Sequence, residues 1–146
     1  MNAFYIGIDT GTHTGLAIWD GALRRFVSIE TLPLYEAIFT VQKCVEDAKR
    51  TGRRVMVIFE DARQRKWIPA ERNNSEYRGK LMGAGAVKRD AAIWEEYLTG
   101  CKIPFEKRAP AKGLTKLSPD RFETLTGWTG RTSNHARDAA LLVFGR

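Results

Sequence analysis

Two carboxylates in this chain close apolar runs. Residues 4–8, Phe-Tyr-Ile-Gly-Ile, end on Asp9, and residues 53–59, Arg-Arg-Val-Met-Val-Ile-Phe, end on Glu60. A carboxylate at the exit of a buried strand is costly unless it is hydrogen-bonded, paired or bound to a cation. Asp9 has a bland explanation, since aspartate readily accepts hydrogen bonds from a following turn. Farther on, His135 and Asp138 stand three residues apart, on one face of what reads as the first turn of a helix. Helix-dipole attraction alone would suit the acid there. Taken together, the four residues offer oxygen ligands and one imidazole, a set that suits magnesium or manganese. Two such ions about 4 Å apart can activate a water and stabilise the leaving oxygen during in-line attack on a phosphodiester. Asp61 rivals Glu60 for this role, because strand alternation turns one of two neighbours away.

The elements that must bring these residues together are legible in outline. Residues 4–8 and the apolar run that resumes after Gly15 predict strand, tight turn, strand. Asp20-Gly21 signals a second turn, and residues 25–32 a third strand closed by Pro33. Leu34, Ile38, Val41, Val45 and Ala48 recur at helical spacing, ended by Gly52. The next strand is reached through that helix and is therefore expected parallel to the first, with Asp9 and Glu60 at one sheet edge. Residues 62–79 lose periodicity and read as a loop or lid. A second helix is expected over residues 80–98, a short strand over 103–109, and a capped helix start at Ser118-Pro119. The last helix opens at Ser133 or Asn134, with Leu141 and Leu142 continuing toward the core.

The formal net charge is +7 over 146 residues, and the cations crowd between Lys49 and Lys116. That asymmetry points to a polyanionic partner. Trp67 and Tyr77 lie among Arg63, Arg65, Lys66, Arg72 and Arg78, a mixture in which a ring can stack on an unpaired base while cations hold phosphates. The length fits a single domain, residues 1–146. No run approaches the roughly 20 apolar residues of a membrane span, and no secretory leader is visible, so a cytoplasmic location is expected. Cys44 and Cys101 form no paired motif and are expected to be buried thiols.

Gly7-Ile-Asp9-x-Gly11, Thr14-Gly15-Leu-Ala17, Val57-Ile-Phe-Glu60 and His135-Ala-Arg-Asp138-Ala139, in this order, resemble the RuvC-like Holliday junction resolvases of the ribonuclease H-like superfamily. The resemblance implies an α/β fold with a five-stranded mixed sheet of order 3-2-1-4-5 flanked by helices. It also implies a homodimer that cuts four-way DNA junctions with magnesium or manganese, two ions per active site. Asp9, Glu60 and Asp138 take the places of metal-binding acids, and His135 stands where many relatives have Asp. The stretch from Lys80 to Val87 is similar to a glycine- and alanine-rich helix start that contributes to the family dimer. Arg108, Lys112 and Lys116 fall where basic residues approach the scissile phosphate. Two further readings stay open: a broader flap or fork nuclease, and a junction-binding protein without activity. Gly-Ile-Asp-Thr-Gly-Thr also resembles the phosphate turn of sugar kinases and actin-like ATPases. Those proteins need two related domains, for which this chain has no room, so no nucleotide cofactor is expected.

Overall fold

The protein was analysed as a computed structural model, which describes residues 2–64, 75–110 and 116–146, with the backbone alone over 75–84 and at 87. Among these residues five strands form one sheet: β1 (Ala3–Asp9), β2 (His13–Asp20), β3 (Arg25–Pro33), β4 (Arg54–Glu60) and β5 (Phe105–Arg108), in the order β3-β2-β1-β4-β5. The helices are α1 (Leu34–Arg50), α2 (Ser75–Gly100), α3 (Pro119–Thr126) and α4 (Asn134–Val143). β1 pairs antiparallel with β2 and parallel with β4, and β5 extends the sheet parallel to β4. This is the sheet order, flanked by helices, that the resemblance implies.

Strand alternation divides the core. Ile6, Ile8, Leu16, Val57 and Phe59 face α1 and α2, where Val41, Ala48, Ala91, Trp94 and Leu98 cover them. Ala3, Tyr5, Ala17, Trp19 and Ile58 point to the other face, under α3 and α4. The two sides differ in texture. The apolar residues that α4 buries, Ala136, Ala139, Ala140 and Val143, are all small, and the strands beneath it carry glycine. A Cβ on Gly7 would lie 2.1 Å from the Ala139 carbonyl oxygen, and one on Gly15 would lie 2.0 Å from that of His135. Backbone thus meets backbone, and only glycine at both positions permits so close a helix.

Several expectations need correction. α2 begins at Ser75, not at residue 80, and a 3-10 turn occupies Ala62–Gln64. Residues 65–74 of the expected lid lie outside the described residues. Of the two leucines expected toward the core, Leu142 packs against it partly buried, whereas Leu141 is exposed, because the glycine contacts turn the alanines of α4 inward. Cys101 is exposed too, at the turn after α2, while Cys44 is half-buried with its thiol pushed up to about 11 by burial. The capping signals hold: the Ser118 and Ser133 hydroxyls accept from the backbone N–H groups of Arg121 and Ala136. Among the described residues no helix is long and apolar enough to cross a membrane.

Asp20, at the β2–β3 turn, has an energetic role that its turn position alone does not reveal. It accepts from the backbone N–H groups of Ala22 and Leu23 and takes a two-pronged bond from Arg53, at 2.7 and 3.0 Å. The Arg53 guanidinium also lies 3.6 Å over the Phe4 ring. The Arg53 bond, helped by the turn amides and opposed by burial, holds the Asp20 carboxyl down at about 2, from a usual 3.8. A depressed carboxylate stabilises the fold above its unfolded-state value, and that stability is lost as pH falls from about 4 through about 2. Asp20→Asn should therefore cost about 2 kcal/mol at neutral pH and flatten acid unfolding in that window. Calorimetry of both proteins between pH 2 and 7 checks this.

Candidate metal and phosphate site

Asp9 ends β1 beside the end of β4, since Ile8 pairs with Phe59 and both strands run the same way. Glu60 is thus the neighbouring strand's last residue, as expected. A hydrogen bond from the Thr10 hydroxyl to the Glu60 carbonyl oxygen, at 3.4 Å, links the two exits. From the other face, α4 lowers its first turn onto Gly15, which sits opposite Asp9 in the β1–β2 register. That contact delivers His135, whose Nδ1 lies 2.9 Å from Asp9 Oδ2. The Ser133 hydroxyl caps α4 and shares a hydrogen bond with the Thr31 hydroxyl, tying the helix start to β3.

The electrostatics follow from this crowding. Burial raises the Asp9 carboxyl above its ordinary value; the His135 hydrogen bond pulls it back down, and the negative charge of Asp138 pushes it up again. An acid that disfavours its neighbour's charge in this way is eased by a cation. Here Lys116 supplies one, with Nζ 3.1 Å from Asp138 Oδ2. Among the described residues no group of three or more His, Cys, Asp or Glu closes around a common point for a metal ion. The donor types nevertheless fit a hard divalent cation: Asp9 bonded to the His135 imidazole, Asp138 near enough to act on the Asp9 charge, and Glu60 at the end of the adjacent strand.

Asp61 is not a rival for that role. It is buried, its own N–H donates to the Arg108 carbonyl oxygen, and its carboxylate accepts from the Arg63 backbone N–H and from two nitrogens of the Arg63 guanidinium. The Arg63 bond holds its pKa down despite burial. Arg63 reaches on to Glu95 of α2, which also pairs with Lys107 of β5 at 3.1 Å. Arg63, expected to hold phosphate, is thereby committed to a chain of ion pairs that fixes the exit of β4.

Of the other expected phosphate contacts, Arg108 is exposed and lies opposite Glu60 in the β4–β5 register, and Lys116 reaches the site directly. Arg78 and Lys80 sit on the backbone of α2. Arg65, Lys66, Trp67, Arg72 and Lys112 lie outside the described residues. Sequence reasoning missed Arg137. It is 5% exposed and donates to the carbonyl oxygens of Leu117 and Thr132, the Thr132 hydroxyl and the Asn134 side chain. It straps the segment after Lys116 to α4, and so holds Lys116 near Asp138. The signal was its position next to Ala136 on the inward side of α4.

The fold and site together define an α/β protein with a mixed five-stranded sheet of order 3-2-1-4-5 and acids at the ends of its two central strands. No protein-family model matches the sequence, and neither does any curated protein. Among solved structures the chain is similar to a Thermus thermophilus RuvC structure, at 18% identity over 97% of this chain and 91% of that one, with a TM-score of 0.46.

Proposed function

We propose that this protein is a magnesium- or manganese-dependent endonuclease that cuts branched DNA, with the four-way junction as its main substrate and two copies of the chain cutting as a pair. The observation that carries the reading is the His135–Asp9 hydrogen bond at the end of β1, with Asp138 acting on the Asp9 charge from α4 and Glu60 ending the neighbouring strand β4. These four residues would hold the metal, which when bound supplies an activated water and neutralises the leaving oxygen of a phosphodiester. Lys116 and Arg108 attract the DNA backbone to an edge whose acids would otherwise repel it. Asp9 keeps the His135 ring turned toward the site.

A second reading, a junction-binding protein without activity, draws support from the engagement of Asp138 by Lys116. One experiment separates the two. Labelled four-way junction, flap, fork and linear duplex are incubated with magnesium, manganese or chelator, using wild type and Asp138→Asn. The expected result is paired, symmetric nicks in the junction, abolished by chelator and by the variant. Metal-dependent cutting spread over flaps and forks would widen the substrate class. Tight junction binding with no cutting would leave the second reading.

A further inference from the structure

The sheet end opposite the candidate site holds a cavity of about 440 Å³, between the starts of β1 and β4, the last turn of α1 and the turn from α2 into β5. Its size lies within the range of ligand sites, about 300–1,000 Å³. Val45, Val55 and Ile103 make its wall apolar, and Lys49, Arg54 and Lys102 stand around it. All three cations are exposed, and none makes an ion pair among the described residues. Arg53, also lining the cavity, is committed to Asp20. Among the described residues no acid lines it.

Lys102 adds a second observation. It adopts a left-handed backbone, φ 56°, where glycine is the ordinary residue after a helix. The chain accepts that conformational cost with a lysine, and so keeps a charge at the rim.

We propose that this cavity docks an acidic peptide with a bulky apolar residue at its C-terminus. An apolar side chain fills the cavity, and the terminal carboxylate, attached at the same Cα, meets the cations with the preceding acids. A nucleic-acid backbone would use the cations but not the apolar wall. The position also suits an acidic partner: β1 spans about 20 Å from Ala3 to Asp9, well beyond the screening length of about 8 Å. The peptide therefore escapes repulsion from Asp9 and Glu60, and both ends of the sheet can be occupied together.

Cys101, exposed and lining the cavity, provides the readout. Its reaction with a thiol reagent is the fast phase, since Cys44 is half-buried with a raised pKa. A short peptide of consecutive aspartates ending in phenylalanine should slow that phase severalfold, whereas the same peptide with asparagines should not. Lys49→Glu with Lys102→Glu should weaken the protection about tenfold, as loss of complementary charge does. Lys102→Gly should weaken it as well while raising Tm by a few degrees, because the left-handed penalty disappears. The proposal is overturned if millimolar acidic peptide leaves the Cys101 rate unchanged, or if charge reversal leaves the protection intact. Protection by single-stranded DNA in place of the peptide would equally overturn it.

Discussion

Asp9→Asn is expected to lower metal-dependent junction cleavage by at least about a hundredfold, the loss typical when a group that organises developing charge is removed. Binding to the same junction in chelator should stay equal or tighten, because one negative charge facing the phosphates disappears. The thermal midpoint should hold or rise. Burial and Asp138 disfavour the charge on Asp9, and asparagine can still accept a hydrogen bond from His135. This combination separates a functional acid from a structural one. If Asp9 served only the turn after β1, the variant would lose stability and activity together. Gel-shift titration, single-turnover cleavage and a melting curve on one preparation decide between them.

Among the glycines described, Gly15→Ala should be the most damaging substitution. The new Cβ would lie 2.0 Å from the His135 oxygen and 2.4 Å from its carbonyl carbon, so the obstacle is backbone and cannot rotate away. α4 must lift by roughly an ångström, carrying His135 and Asp138 with it. Overpacking of this kind costs about 3 kcal/mol, and a displacement of about 1 Å at a reacting centre costs about a hundredfold in rate. Gly11→Ala is the matched control. Its Cβ would meet nothing closer than the His13 oxygen at 3.7 Å, and stability should change little. Equal losses from both substitutions would mean that the turn as a whole is intolerant and that the α4 contact has no special part.

The two cases also show what a sequence can disclose here. The strand exits on Asp9 and Glu60 are legible because a carboxylate after a continuous apolar run is expensive and therefore conspicuous. The helix start at Ser133 is legible through its cap. The loss of Arg63 from the phosphate-binding set was not foreseeable, since whether an arginine faces a polyanion or an internal acid depends on Glu95, 32 residues away. Arg137 was hidden for a different reason: three of its acceptors are backbone carbonyl oxygens or a neighbour's amide, which leave no trace in residue type. The rotation of α4 was only half read, Leu142 meeting the core and Leu141 not, because leucine signals a core face more loudly than alanine. The glycines of the sheet, which decided it, have no side chain with which to signal at all.

That last point bears on how such a protein can change over time. The position of the acidic edge depends on two places where a side chain is missing, so the information that sets it resides in empty volume. Exposed positions of α4 outside the site, such as Leu141, can be rewritten while the helix still settles to the same depth. A lineage built this way can lose nearly every recognisable word of its sequence and keep its geometry, provided that two silences are preserved.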